Sequence, residues 1–180
     1  MILKDLPNML TVLRILLIPV LISSFYIEEK AVHYFAAGIF IFASITDYFD
    51  GFLARRLRAQ TSFGKVLDPI ADKLLVASTL MMLVHFDRAP VIPTIAILCR
   101  EILVSGLREY LADIKISLPV TNFGKIKTGF QMVAIILLLL GEQGTGIQYT
   151  DFIGDIAIWI AAILTLISGY IYCKEGFKHL

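Results

Sequence analysis

The chain has 180 residues, 58% of them apolar, and a mean hydropathy of +0.81. A soluble domain carries about half apolar residues, so the composition excludes an ordinary soluble domain and points to an integral membrane protein. The formal net charge of +1 excludes a strong polyanion-binding field.

Six apolar segments follow one another, each near the roughly 20 residues a spanning helix needs. The first runs from about Leu10 to Tyr26, preceded by Pro7 and Asn8 and interrupted by Arg14 and Pro19. The second runs from about Val32 to Leu53 and ends among carboxylates. The third starts near Pro69, with Asp72 and Lys73 in its first turn, and ends near Phe86. The fourth, Val91 to Leu111, carries Arg100, Glu101 and Arg108; the fifth runs from Lys127 to Leu140 and the sixth from Phe152 to Cys173. The expected fold is all-α, a single domain over residues 1–180 built as a bundle of six transmembrane helices. No small-residue cleavage site follows the first apolar stretch, so a cleaved signal peptide is not expected. Cys99 and Cys173 lie in apolar segments without metal spacing and read as buried free thiols.

The connections alternate in charge. Arg55, Arg56, Arg58 and Lys65 follow the second segment, Lys115, Lys125 and Lys127 follow the fourth, and Lys4, Lys174 and Lys178 flank the termini. The other side has Lys30 and Arg88 among Glu28, Glu29, Asp87, Glu142 and Asp151. Positive charge concentrates on the cytoplasmic side of membrane proteins, which puts both termini and the carboxylates there. Arg56 and Arg58 read as topology determinants facing anionic headgroups, and Lys127 divides between that role and ligand contact. His33, His85 and His179 lie at segment ends and read as interfacial. The run Gly141 to Gly146 lacks the lysine and preceding strand of a phosphate loop and is read as a turn.

The chemistry concentrates in residues 47–72. Asp47 and Asp50 are three apart, and Asp68 and Asp72 four apart, so each pair shares a helix face. Four carboxylates brought together in a low-dielectric setting need cations to stay ionised, and oxygen ligands suit Mg²⁺ or Mn²⁺. Gly51 and Ala54 leave room for a ligand to approach the backbone. Arg55 is placed to meet a phosphate, and Gly64 to break the chain so that the third segment folds back beside the second. Two metals bridged by carboxylates, beside arginine, suit cleavage of a phosphoanhydride by in-line attack, with one carboxylate taking the proton of an attacking hydroxyl.

Asp47-x-x-Asp50-Gly51-x-x-Ala54-Arg55, followed after eight residues by Gly64, then Asp68 and Asp72 at intervals of four, resembles the signature of the CDP-alcohol phosphotransferases at every fixed position. The resemblance covers nearly the whole chain. It implies a six-helix membrane domain, usually a homodimer, that transfers a phosphoalcohol group from a CDP-linked donor to a hydroxyl and releases CMP. Pro7-Asn8-x-Leu10-Thr11-x-x-Arg14, Ala71-Asp72-Lys73, Arg100-Glu101-Ile102 with Ser105 and Leu107-Arg108-Glu109, and Gly124-Lys125-Ile126-Lys127-Thr128 with Gln131-Met132 narrow it further. They are similar to bacterial members that join CDP-diacylglycerol to sn-glycerol 3-phosphate, which implies a multi-pass protein of the bacterial cell membrane with its active site on the cytoplasmic side.

The resemblance also implies roles. Asp47, Asp50, Asp68 and Asp72 would bind two divalent cations, Mg²⁺ or Mn²⁺, and Asp72 would be the general base. Asn8, Thr11, Gly51, Ala54, Arg55, Thr61 and Gly64 would serve the CDP-diacylglycerol. Arg100, Arg108 and Lys125 are assigned to the acceptor phosphate on physical grounds as well, since their charge would favour a phosphorylated acceptor over a neutral one. Glu101 reads as a partner that neutralises or orients an arginine. Alternatives are a sister enzyme using inositol phosphate, serine or phosphatidylglycerol, or, in another class, a divalent-cation transporter. A transporter site belongs near mid-membrane with access from both sides, whereas these carboxylates lie beside an arginine-rich loop. A non-catalytic scaffold would leave the carboxylates unexplained.

Overall fold

A computed structural model describes the backbone over residues 2–57, 62–114 and 122–176, and the side chains within those ranges except at 2–7, 48–57, 62–63, 65–66 and 122–125. Six helices follow in order: α1 (Ile2–Ser24), α2 (Lys30–Leu57), α3 (Ser62–His85), α4 (Val91–Asp113), α5 (Asn122–Thr145) and α6 (Thr150–Gly176). Among the described residues there is no strand. Apolar stretches of this length satisfy their own backbone groups only as helices when water is excluded, which matches the run of elements expected from hydropathy.

The helices form two groups. α1 packs on α2 and α3, α6 packs on α5 and α4, and α2 against α5 joins the groups. α3 touches α4 and α5 only lightly, and the space left there becomes the site. The core lies along the join, where Leu21, Phe40, Leu75, Leu83, Ile135 and Ile158 are fully buried. Outward faces are also apolar: Ile102, Ile163, Leu166 and Tyr170 are all exposed. Two helical stretches, Ile126–Thr145 and Thr150–Gly176, are long and apolar enough to cross a membrane among the described residues.

Four local expectations change. α3 begins by Ser62, not near Pro69, so Pro69 lies inside the helix. Asp72 is therefore three turns in rather than in the first turn. Proline there leaves the carbonyl of Lys65 without its helical donor. Gly64 likewise sits within α3, buried, and is not the break between α2 and α3. Cys99 is exposed rather than buried, on an outward face of α4; both cysteines are free, as expected. His33, expected at an interface, is buried, its Nδ1 3.1 Å from the carbonyl of Leu139 and 3.3 Å from Arg88 Nη1.

The turn expected at Gly141 is present as a kink (φ 58°, ψ 176°) inside α5. A Cβ at Gly141 would lie 2.9 Å from Asp151 Oδ1, the same oxygen that accepts a hydrogen bond from the Glu142 amide at 3.0 Å. The positive φ and this contact together require glycine.

Candidate active site

One wall is set by α1. Thr11 and Arg14 are three residues apart on one face, and both are fully buried. Arg14 Nη1 forms an ion pair with Asp47 of α2 at 2.8 Å, and its Nε donates to the Ala43 carbonyl at 3.3 Å. Thr11 donates its hydroxyl proton to Asp68 of α3. A single face of α1 thus grips one carboxylate from each pair. Neither contact is legible in the sequence: Arg14 stands out there as a charge within an apolar segment and as part of the opening motif, and the resemblance points Thr11 to the nucleotide. A buried guanidinium is costly unless paired, which was the available signal for Arg14.

Asp47 is 37% exposed despite its ion pair, so it has an open side. It lies within electrostatic reach of Asp68 and of Asp72. α2 continues unbroken through Leu57, which places positions 47, 50, 51 and 54 on one side of it. The side chains of Asp50, Ala54, Arg55 and Lys125 are outside the described set, as is the whole of Thr61. Asn8 lies one turn before Thr11 on α1 and is partly buried; Gly64 lies one turn before Asp68. Among the described residues, no three acidic, histidine or cysteine side chains come close enough to hold a metal ion; Asp50 is not among them.

The other wall belongs to α4, α5 and α6. Arg100 donates to Ser168 Oγ at 2.9 Å and to Glu101 Oε1 at 3.3 Å. Arg108 donates to the Tyr172 hydroxyl at 2.6 Å, and its guanidinium sits 4.6 Å from the centre of that ring. Lys127, 4% exposed, is ion-paired with Glu101. Glu101 therefore neutralises two cations, as expected of it, and Lys127 belongs to the cavity rather than to the membrane surface. Ser168 and Tyr172 are four apart on α6, both buried. Nothing in their spacing marks them, because a serine and a tyrosine in an apolar helix are ordinary packing residues until an arginine is placed opposite.

Between α3 and this second wall lies a cavity of about 590 Å³ whose lining includes Asp72, Lys73, Arg100, Glu101, Arg108 and Lys127. Counting Glu109, its lining carries four cations and three carboxylates. With Glu101 engaged by Lys127 and Arg100, the arrangement favours an anionic ligand at Arg100 and Arg108, with Asp72 across from them. A larger cavity, about 1140 Å³, opens at the opposite helix ends among Glu28, Asp87, Arg88, Asp151 and Asp155. It contains none of the signature residues.

Comparison with known proteins identifies similar chains. A family model described as CDP-alcohol phosphatidyltransferase matches residues 4–167. The chain is 51% identical over 176 residues to a CDP-diacylglycerol–glycerol-3-phosphate 3-phosphatidyltransferase of Rickettsia felis, covering 98% of this chain and 97% of the relative. A protein of the same name from Rickettsia prowazekii is 53% identical over 177 residues, covering 97% and 98%. One from Bacillus subtilis is 38% identical over 188 residues, covering 98% and 97%.

Proposed function

We propose, because the chain belongs to the CDP-alcohol phosphatidyltransferase family, that it transfers the phosphatidyl group of CDP-diacylglycerol to sn-glycerol 3-phosphate, giving phosphatidylglycerophosphate and CMP. The observation that carries this reading is the cavity in which Asp72 of α3 faces Arg100 and Arg108 of α4. Such a cavity offers a carboxylate for a hydroxyl proton and guanidinium groups for a phosphate already present on the acceptor.

The oxygen-only donor set of Asp47, Asp50, Asp68 and Asp72 fits hard divalent cations, Mg²⁺ or Mn²⁺. Bound there, two such ions would supply the charge that stabilises the diphosphate and the departing CMP. Arg14 and Thr11 hold Asp47 and Asp68 in register for that role. Asn8, Gly51, Ala54, Arg55, Thr61 and Gly64 are assigned to the CDP end of the donor. Arg100, Arg108 and Lys125 receive the acceptor's phosphate; Ser168 and Tyr172 aim the two arginines. Asp72 takes the proton from the acceptor's 1-hydroxyl as its oxygen bonds to the phosphatidyl phosphorus. The bond from that phosphorus to the bridging oxygen breaks, and CMP leaves with the oxygen and its electron pair.

The same reading makes the six helices a membrane-spanning bundle, supported by the apolar outward faces. The site lies at the cytoplasmic ends, supported by the clustering of Lys and Arg there. A homodimer is proposed from the family. The direct test is an acceptor panel against one donor, following CMP. Glycerol 3-phosphate as the best acceptor is the expected result; a clear preference for serine, inositol phosphate or phosphatidylglycerol would overturn the acceptor assignment.

A further inference from the structure

Gln131 lies on α5 one turn beyond Lys127 and Thr128, on the face turned toward α3 and α4. It is 3% exposed, and its Oε1 is buried without a hydrogen-bond partner. A buried acceptor left unpaired is costly, so a core position here would favour leucine or methionine. Directly beyond it on the same face, Ala134, Ile135 and Leu138 are sealed core. Gln131 is thus the deepest polar group of its face, at the floor of the site.

It borders a crevice of about 80 Å³ that is also lined by Asp72, Glu101, Lys127 and Thr128. Those four residues line the main cavity as well, so the crevice is an inward extension of it. Of the two cations that line the crevice, Lys127 is ion-paired with Glu101 and Lys73 donates to the carbonyl of Pro69 at 2.9 Å. A carbonyl oxygen only accepts, so what completes Gln131 must donate a proton, be small, and enter beside Asp72.

We propose that Gln131 accepts a hydrogen bond from the secondary hydroxyl of the acceptor, so that the crevice selects a vicinal diol. This rests on the phosphatidyltransferase reading above. In sn-glycerol 3-phosphate the two hydroxyls sit on adjacent carbons. Holding the secondary one at Gln131 turns the primary one to Asp72 while the phosphate stays with Arg100 and Arg108. Gln131 then decides which alcohols present a reactive oxygen correctly, in addition to the charge selection made by the arginines.

The test compares sn-glycerol 3-phosphate with 3-hydroxypropyl phosphate, which lacks only the secondary hydroxyl, on the wild type, Gln131→Met and Gln131→Glu. The wild type should prefer the diol by about tenfold or more in kcat/KM, the scale of one hydrogen bond to a group otherwise left unpaired. Gln131→Met should lose that preference chiefly by losing activity on the diol. Gln131→Glu, which keeps an acceptor in the same shape, should retain it. An equal loss on both acceptors in Gln131→Met would mean the side chain holds only a water or the packing, and would overturn the proposal. So would a wild type that uses glycerol 3-phosphate without discriminating, a result that needs no variant to fold. CMP release with neither acceptor would instead remove the reaction assignment, and this inference with it.

Discussion

Arg14 illustrates how one residue can organise carboxylates that belong to other helices. Its guanidinium is buried and its partner Asp47 is only half-covered. Arg14→Gln leaves Asp47 crowded by Asp68 and Asp72 with no compensating charge, although Asp47 can still turn to water. The expected loss of stability is on the order of 1–3 kcal/mol, seen as a lower melting temperature in detergent without divalent cations. Added Mg²⁺ or Mn²⁺ should restore much of it, because a cation replaces the missing charge; an unchanged melting temperature would refute the pairing. Asp72→Asn keeps the size of the side chain but cannot take a proton. Turnover should fall at least about 100-fold with the fold intact, checked by CMP release beside a melting curve; substantial residual turnover would remove Asp72 from the base role. Residue spacing groups these aspartates into two helix faces, and the family resemblance gives Asp72 its expected role. Spacing could not show Arg14 or Thr11 as their partners, because contacts between helices 30 to 60 residues apart leave no periodic mark in the chain.

At the scale of elements, α6 acts as the backing for α4. A Cβ at Gly169 would lie 2.8 Å from Arg100 Cγ, so the arginine passes over a bare stretch of α6 to reach Ser168. Gly169→Ala should push Arg100 off that seat and raise KM for glycerol 3-phosphate several-fold, with a smaller change in KM for CDP-diacylglycerol. Steady-state kinetics with each substrate varied in turn separate the two. Comparable changes in both would show a general loosening of the helix pair instead. The helices themselves were readable from apolar runs, but α3 was not readable to its start. Pro69 reads as a boundary, since proline suits the first turn of a helix; in the turns before it Phe63, Val66 and Leu67 are interleaved with Ser62, Gly64, Lys65 and Asp68 and form no long apolar run to announce a helix. Their helical path brings Asp68 to Thr11.

For the whole molecule, the two helix groups meet firmly along α2 and α5 and loosely along α3. That division leaves the polar cavity at one end of the bundle, between α3 and the group formed by α4, α5 and α6. The proposed orientation, from the basic residues at the same end, turns it to the cytoplasm. A tag after Leu180 should therefore resist protease added outside intact spheroplasts and be removed once they are lysed; removal before lysis would reverse the orientation. Hydropathy made the all-α class and the order of six helices legible from the chain. The packing order did not follow from them, because an apolar helix presents much the same surface to lipid as to another helix.

The most direct measurement is CMP release from the purified protein in detergent with CDP-diacylglycerol and Mg²⁺ or Mn²⁺, with and without glycerol 3-phosphate. CMP that appears only when both metal and acceptor are present is the expected result. CMP formed without any acceptor, or none formed with glycerol 3-phosphate by protein shown to be folded, would contradict it.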